Sequence, residues 1–300
     1  MRIAICIPTF RRPAGLRALM LEINDLVRNE GLDFRVVVVD NDACGSARLV
    51  LDELSGRLNY PVQYALEPER GLSSVRNTAL ERAMDADGIA FIDDDEVPDA
   101  NWLIELVRAQ QMFGADAVRG VVVSRFAQAV PSWIARGGFF ERSRPATGTV
   151  LKEAAAGNVL ICTKVLRATG LRFDPQFSLS GSEDTDFFSR LDAAGAVIIA
   201  ANGAVVYETI PPERATARWL SLRALRISNA DAFLSLKRSS SFTDRVQIFV
   251  HGLSRLAVGV AIAIFTIPLG RVAMVDNLRR IARAMGDVMA AIGVHYNEYS

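Results

Sequence analysis

The segment Gly88-Ile89-Ala90-Phe91-Ile92-Asp93-Asp94-Asp95-Glu96 joins an apolar run directly to four consecutive carboxylates. The apolar part does not alternate with polar residues, which predicts a strand buried on both faces of a sheet. Four adjacent carboxylates at the end of a buried strand repel one another and need a counter-charge. Mg²⁺ or Mn²⁺ supplies that charge through oxygen ligands and keeps coordination positions for diphosphate oxygens. The segment therefore predicts a divalent metal site, with a solvated acidic turn before Pro98 as the alternative.

The rest of the first 215 residues alternates between apolar runs, several rich in β-branched residues, and stretches with helical spacing. That alternation predicts an α/β fold with an open, mostly parallel sheet and flanking helices. Ligands of such sheets bind beyond the carboxyl ends of the strands, so we expect the polar residues after the first, second and fourth strands to lie together. The predicted strands cover residues 3–7, 34–39, 62–65, 89–92 and 117–123, and the predicted helices cover 16–28, 74–84 and 101–113.

Composition excludes some classes of protein. Half of the 300 residues are hydrophobic, and 34 basic residues balance 34 acidic ones, which argues against a general nucleic-acid binder. After residue 215, however, basic residues outnumber acidic ones by 11 to 5. The three cysteines form no CxxC pair, which argues against a disulfide or zinc framework and favours a reducing, cytosolic setting. Residues 1–8 predict a buried strand and not a signal peptide, because their apolar run is short.

A second acidic group, Gly181-Ser182-Glu183-Asp184-Thr185-Asp186, has the pattern of a helix whose first turn is rich in carboxylates. The helix dipole stabilises acidic residues there, so helix capping is one interpretation. Paired carboxylates also suit proton abstraction. If Glu183 and Asp184 face the metal site, one can take the proton from an incoming hydroxyl while the other shapes its environment.

Two further stretches offer groups for a substrate. Gly71 to Asn77 reads as a turn and a helix start, from which Arg76 either reaches a phosphate or base edge or is an ordinary surface residue. Gly157 and Asn158 lead into another apolar strand. Glycine permits close approach of the backbone, and Asn158 offers a donor and an acceptor to a sugar hydroxyl.

Taken in order, these motifs resemble those of glycosyltransferase family 2, which has the GT-A fold. The similarity covers about residues 1–230 and extends in particular to bacterial exopolysaccharide transferases of the succinoglycan glucosyltransferase kind. It is specific because several independent motifs occur in the family's order. The matching motifs are Pro8-Thr9-Phe10-Arg11-Arg12, Val39-Asp40-Asn41-Asp42, Gly71 to Asn77, Phe91-Ile92-Asp93-Asp94-Asp95, Gly157-Asn158, Gly181 to Phe187 and Pro211-Pro212-Glu213-Arg214.

The resemblance implies a Rossmann-like catalytic domain over residues 1–215 and a helical extension over 216–300. It also implies inverting transfer of a hexose from a nucleotide sugar, expected to be a UDP-sugar, to a saccharide or lipid-linked acceptor. Relatives often carry a metal-binding His where this chain has Tyr207, so metal binding would depend on Asp95, phosphate oxygens and Glu208. The implied site residues are Asp184 and Glu183 for catalysis, Pro8, Thr9, Arg11, Asp40, Arg76 and Asp93 for the nucleotide, Asp95 for Mg²⁺ or Mn²⁺, and Asp94, Asn158 and Arg214 for the sugar or acceptor.

The C-terminal extension predicts contact with a membrane surface. Residues 256–270 carry no charge, but as a helix they would span about 22 Å, short of the roughly 30 Å hydrocarbon core. The segment after them has Asp276 and Arg280 on one helical face and Val275 and Leu278 on another, which is typical of an interfacial helix. With the positive excess, it favours anionic lipids on the inner face of the cell membrane. The alternative is a pair of helices packed on the catalytic domain or on a second subunit.

Other classes of protein fit part of the pattern. Ile92 to Val97 matches the start of haloacid-dehalogenase-like phosphatases, but those enzymes place this motif after their first core strand, and here three strand units precede it. A dinucleotide-binding oxidoreductase lacks support because Pro8 to Pro13 contains no GxGxxG. A noncatalytic sugar-nucleotide-binding or scaffold protein is favoured by Tyr207. That class predicts UDP binding and no measurable effect of Asp184→Asn.

Overall fold

The computed structural model describes residues 1–27, 31–179, 181–239 and 241–296. Contacts between residues divide the described chain into two compact units. The predicted division into a catalytic domain over residues 1–215 and a helical extension over 216–300 stays a prediction. The first unit comprises Met1–Arg125, Arg142–Ser178 and Glu183–Thr209, and the second comprises Phe126–Glu141, Leu179–Ser182 and Ile210–Ser300.

Strands and helices alternate through the first two thirds of the chain, and long helices follow. The strands are β1 (Arg2–Thr9), β2 (Asp33–Asp40), β3 (Val62–Leu66), β4 (Gly88–Ile92), β5 (Glu96–Pro98), β6 (Ala117–Phe126), β7 (Val150–Leu151), β8 (Asn158–Cys162) and β9 (Ile198–Ile210). The helices are α1 (Pro13–Glu22), α2 (Ser46–Leu54), α3 (Leu72–Ala83), α4 (Trp102–Phe113), α5 (Ser132–Gly137), α6 (Thr163–Thr169), α7 (Glu183–Ala193), α8 (Ala217–Ser239), α9 (Phe242–Thr266) and α10 (Arg271–Ala291).

The strands form one open sheet in the order β3-β2-β1-β4-β8-β6-β9-β5, with β7 paired to β9. The strands β1 to β4 are mutually parallel, whereas β8 runs antiparallel to both β4 and β6. Both β5 and β7 run antiparallel to β9. The predicted α/β class with flanking helices is confirmed. The parallel pairing that the sequence predicts is found in the first four strands, and antiparallel pairs complete the sheet.

The register of the strands brings several loops to one edge of the sheet. Thr9 at the end of β1 lies opposite Asp40 at the end of β2, and β4 lies on the other side of β1. Because β8 runs antiparallel to β4, its first residue, Asn158, lies opposite Ile92. The loops that follow β1, β2 and β4 therefore converge with the segment that precedes β8, where open α/β sheets bind their ligands.

Two apolar clusters cover the faces of the sheet. On β1, Ile3, Ile5 and Ile7 belong to one cluster, whereas Ala4 and Cys6 belong to the other. The helices α1, α2 and α4 contribute to the first cluster, and α3, α6 and α7 contribute to the second. Each buried isoleucine contributes about 1.5–3 kcal/mol through the hydrophobic effect. The packing on both faces explains why β1 is apolar throughout.

The second unit is built around α10, which packs against both α8 and α9. Val275 and Ala282 are buried in this packing, whereas Leu278 and Met285 of the same predicted apolar face are 40 % and 43 % exposed. Part of that face therefore packs within the unit, and its contact with lipid stays a prediction. The apolar stretch that was expected over residues 256–270 belongs mostly to one continuous helix, Phe242–Thr266. Among the described residues, only this helix is long and apolar enough to cross a membrane, with a mean hydropathy of 2.0 over 18 residues.

Candidate active site

The acidic turn after β4 is held by residues of the loop after β1. The Thr9 hydroxyl donates to Asp94 Oδ2 over 2.8 Å. The Arg12 guanidinium lies 3.1 Å from Asp94 Oδ1 and 2.7 Å from Asp95 Oδ2. Burial raises the pKa of Asp94 to about 6, while Arg12 and Thr9 act to lower it. Arg12 thus supplies part of the counter-charge that the sequence assigned to a metal alone.

These contacts change the role expected of Asp94. Its side chain is 8 % exposed, and its two oxygens accept from Thr9 and Arg12. We therefore assign Asp94 to holding the two loops together, and not to the predicted contact with the sugar. Thr9, expected at the nucleotide, points its hydroxyl at this carboxylate.

Asp93 and Glu96 form the inner part of the same turn. Glu96 is buried, and its Oε2 accepts from the backbone N–H of Asp93 over 3.1 Å. Burial raises the pKa of Glu96 well above its usual range. The pKa of Asp93 is raised by loss of solvation, although 39 % of its side chain is exposed, and Arg76 lowers it. The negative charges of Asp95, Asp184 and Glu208 raise it further.

Arg76 links the two acidic groups that the sequence singled out. It forms an ion pair with Glu183, the first residue of α7, and its Nη2 lies 3.5 Å from Asp93 Oδ1. The Arg76 and Glu183 side chains are 5 % and 3 % exposed. Glu183 is predicted either to take the proton of an incoming hydroxyl or to shape the environment of the carboxylate that does. Its burial beside Arg76 favours the second role, and its part in catalysis stays a prediction. We assign it to positioning Arg76, whose contact with the nucleotide stays a prediction.

Asp184 occupies a more open place at the start of the same helix. Its Oδ2 lies 3.4 Å from the backbone nitrogen of Ala156. A Cβ added to the next residue, Gly157, would lie 2.8 Å from Asp93 Oδ2. The segment 156–157 therefore lies close to both Asp184 and Asp93. The second acidic group thus lies near the first, and the catalytic role of Asp184 stays a prediction.

Asp40 organises the loop after β2. It is fully buried, and its oxygens accept from the backbone N–H groups of Asp42 over 3.0 Å and Ala47 over 2.7 Å. The Tyr64 hydroxyl also donates to it over 3.3 Å. The predicted hydrogen bond from Asp40 to a base therefore competes with three internal ones, and it stays a prediction. The sequence did not identify Tyr64.

Arg11 lies at the rim of this loop. Its side chain is 63 % exposed and lies 3.2 Å from Asp42 Oδ1. This ion pair raises the pKa of Arg11 and lowers that of Asp42. The backbone φ of Arg11 is +53°. Pro8 is the penultimate residue of β1, and the nucleotide contacts of Pro8 and Arg11 stay predictions.

Asn158 has a structural role in place of the predicted contact with a sugar hydroxyl. It is 1 % exposed. Its Oδ1 accepts from Trp102 Nε1 over 2.8 Å, and its Nδ2 donates to the carbonyls of Val121 and Ala204 over 3.1 and 3.0 Å. These bonds join β8 to α4, β6 and β9. Burial and three internal partners leave it no group for a ligand.

Two positions near the end of β9 bear on the metal. Tyr207, which stands where relatives often have His, lies under the Arg125 guanidinium, 3.3 Å from its ring centroid. Glu208 forms an ion pair with Arg142 and lies opposite Glu96 in the sheet.

Arg214, predicted at the acceptor, belongs to the second unit, where it lies over the ring of Trp219. Its contact with the acceptor stays a prediction.

The described residues contain no cluster of three or more His, Cys, Asp or Glu side chains arranged to hold a metal ion by themselves. Mg²⁺, however, is commonly held by one or two carboxylates together with substrate phosphates. Asp93 and Asp95 are the more exposed carboxylates of the turn, at 39 % and 30 % of their side chains. The donor set therefore fits a metal that shares its ligands with a diphosphate. It does not fit a cage made by protein alone.

The chain is similar in sequence to a curated protein and in fold to several solved structures. The chain is 31 % identical over 252 residues to the succinoglycan biosynthesis protein ExoM of Rhizobium meliloti (strain 1021), which covers 83 % of this chain and 80 % of ExoM. The structure of S. aureus TarS 1–349 with UDP is similar at a TM-score of 0.54 and 18 % identity, over 94 % of this chain and 90 % of TarS. The UDP-GlcNAc complex gives a TM-score of 0.53 at 16 % identity, over 99 % of this chain and 93 % of TarS.

The sequence profile of glycosyl transferase family 2 matches residues 4–170. This range contains the acidic turn, Arg12, Arg76 and the segment 156–157, and it ends before Asp184. The match to ExoM extends the similarity over most of the remaining chain. The family match argues against the phosphatase alternative. The chain belongs to glycosyltransferase family 2.

Proposed function

We propose that this glycosyltransferase moves a hexose from a UDP-sugar to a saccharide or lipid-linked saccharide, with inversion, in the biosynthesis of a bacterial polysaccharide or glycoconjugate. The observation that carries the proposal is the approach of both Asp184 and Asp93 to the segment 156–157. Support for the pathway comes from the name of ExoM. Support for a UDP-sugar donor comes from the TarS complexes with UDP and UDP-GlcNAc.

Asp184 is the proposed general base. It is less buried than Glu183, and as a carboxylate it can accept the proton of an acceptor hydroxyl. The hydroxyl oxygen then bonds to the anomeric carbon while the bond from that carbon to the diphosphate oxygen breaks. The electron pair of the broken bond leaves with UDP, and attack from the opposite side inverts the configuration. Glu183 contributes by holding Arg76 beside Asp93.

The donor is proposed to bind at the loops after β1, β2 and β4. Pro8, Thr9, Arg11, Asp40, Arg76 and Asp93 surround the nucleotide in this proposal. Asp95 would hold Mg²⁺ or Mn²⁺ together with diphosphate oxygens, and such an ion would supply positive charge against the departing diphosphate. Arg12 contacts Asp95. If a metal ion replaced Arg12 as the partner of Asp95, the Arg12 guanidinium could pair with the diphosphate instead.

The proposed location of the enzyme is the cytoplasmic side of the cell membrane, bound to its inner face. There the enzyme would take its UDP-sugar from the cytosol, and a lipid-linked acceptor would present its hydroxyl at the bilayer surface. The basic excess after residue 215, 11 basic against 5 acidic residues, suits an anionic surface. This location also fits free cysteines, since Cys6, Cys44 and Cys162 are not in disulfides.

The test is release of UDP from a panel of UDP-sugars, with Mn²⁺ and a lipid-diphosphate saccharide as acceptor. We expect Asp184→Asn to lower turnover by at least about a hundredfold while UDP affinity, measured by calorimetry, stays unchanged. Asp192→Asn, in the same helix α7, is the matched control and should keep full activity. UDP binding without turnover in the wild type, unaffected by Asp184→Asn, would favour the noncatalytic binding protein instead.

A further inference from the structure

Helix α9 has an apolar surface that its own unit does not cover. Exposed hydrophobic side chains recur along one side of the helix from its first turn to its last. Ile264 and Phe265 near the end are 74 % and 71 % exposed. We call this surface the outer face of α9. It comprises Phe242, Val246, Val250, Leu253, Val258, Val260, Ile264 and Phe265.

The opposite side of α9 is fixed against α10. Gly252 and Gly259 are buried there, and a Cβ on Gly252 would lie 2.9 Å from the Val288 side chain. The Asn277 side chain donates to the carbonyl of Gly259 over 3.0 Å. The outer face is therefore set by close packing of the other side, and a small rotation of α9 cannot bury it.

Several polar side chains of α9 and its neighbours bond within the second unit. Arg255 of α9 lies 2.9 Å from Asp287 of α10, which also accepts a hydrogen bond from Ser228 of α8. At the end of α9, the Thr266 hydroxyl donates to the carbonyl of Ala263 over 2.7 Å. Arg255 and Thr266 thus bond within the second unit and not toward the outer face.

We infer that the outer face of α9 docks into the interfacial layer of an anionic lipid bilayer, with the helix axis along the membrane surface. This deepens the membrane location proposed above and names the surface responsible. Arg245 and Arg271 bracket most of the face and are exposed, so both can reach lipid phosphates while the apolar side chains enter the acyl boundary. The excess of basic residues after residue 215 adds attraction to the same lipids.

The breadth of the face favours lipid over a second copy of the chain. At 100° per residue, Val258, Val260, Ile264 and Phe265 spread over about 160° of the helix circumference. A seam between two helices needs a narrower stripe. A membrane crossing is disfavoured because Asp244 and Arg245 lie in the first turn and Arg255 pairs with Asp287 beside α10. An in-plane helix leaves these charges on the watery side.

The test is co-sedimentation of the full chain with phosphatidylcholine vesicles that contain about a third phosphatidylglycerol. We expect binding that weakens in high salt and in phosphatidylcholine alone. Val260→Asp combined with Ile264→Asp should lower the partition coefficient at least about tenfold. Both sites are exposed, so the melting temperature should not change. Leu49→Asp, at an apolar residue of α2 that is 75 % exposed, is the matched control and should bind like the wild type.

Depth and oligomeric state separate the remaining possibilities. Ile264→Trp should show a blue-shifted emission on vesicle binding and quenching by lipids brominated near the headgroup end of the acyl chain. Three results would overturn the inference. The first is quenching by bromine at the bilayer centre, and the second is vesicle binding by the double Asp variant at the wild-type level. The third is a wild-type dimer in sedimentation equilibrium that the two substitutions convert to a monomer. UDP release to a soluble acceptor should survive in the double variant, so a failure of the transferase proposal is visible independently.

Discussion

Replacing Glu183 removes one partner of the buried ion pair that connects α7 to the acidic turn. Both side chains are at most 5 % exposed, and loss of one partner of a buried pair costs about 3–5 kcal/mol because the other charge is left uncompensated. Arg76 keeps Asp93 at 3.5 Å, so we expect Glu183→Ala to lie at the lower end, near 3 kcal/mol. At about 2–4 °C per kcal/mol, its melting temperature should fall by about 6–12 °C.

Thermal and urea unfolding of the full chain measure this loss. Glu183→Gln keeps an oxygen that accepts from Arg76, so its loss should be smaller than that of Glu183→Ala by about 1.5–3 kcal/mol, which is the worth of a hydrogen bond to a charged group. Combining Glu183→Leu with Arg76→Met should recover stability, since apolar side chains of similar volume often replace a buried pair without cost. Activity should stay low in that double variant, because Arg76 no longer lies beside Asp93.

The reasoning is refuted if Glu183→Ala melts within about 1 °C of the wild type, since this equals less than about 0.5 kcal/mol. It is also refuted if the Leu and Met double variant regains turnover, because the pair would then serve stability alone. The exposed pair of Arg17 and Glu53, whose side chains are 38 % and 48 % exposed, is the control. Glu53→Ala should cost no more than about 1 kcal/mol.

Three further predictions concern the counter-charge and the strand junction. Arg12→Gln removes the guanidinium that lies 2.7 Å from Asp95, so Mn²⁺ titrated into the nucleotide-free protein should bind about tenfold more tightly; equal or weaker binding would show that Arg12 does not compete with the metal. UDP and Mn²⁺ should each raise the affinity of the other by the same factor, as linkage requires, and calorimetry in both orders of addition checks this; independent binding would mean that the arginines suffice. Asn158→Ala should lower stability by about 3 kcal/mol, because it leaves the Trp102 indole N–H and two carbonyls unsatisfied, with the KM for the donor unchanged. Asn202→Ala, at an exposed position, serves as its control, and a raised KM with normal stability would restore the sugar contact.

The sequence predicted the parts of the fold that depend on local pattern. The β-branched run at 34–39 became β2, Asp33–Asp40, and the apolar run before the carboxylates became β4. It did not predict that β8 runs antiparallel to β4, because a short, fully buried strand has the same apolar pattern in either direction. Nor did it predict which face of each C-terminal helix is buried, since α9 and α10 both present apolar residues on more than one side.

For the candidate site as well, the sequence predicted some features and missed others. Residue types and strand ends were enough to select the acidic turn and the helix start at Glu183. They were not enough to show that the hydrogen bonds of Asn158 are all internal. A structural asparagine and a ligand-binding asparagine have the same sequence pattern, which is an amide next to glycine at the start of a strand. Arg12 was missed although the tandem Arg11-Arg12 follows β1 directly. Its pairing with Asp95 depends on strand order, which a sequence pattern does not encode.

The balance of charge explains why a diphosphate would need a cation even though the site contains two arginines. Arg12 and Arg76 are already paired with carboxylates, and further acidic side chains at Glu96 and Asp184 approach the same turn. Burial is the largest cause of the raised pKa values of Asp93, Asp94 and Glu96, and neighbouring carboxylates raise them further. A diphosphate adds more negative charge to this turn. Binding the donor together with a divalent ion relieves this repulsion, whereas binding the donor alone would increase it.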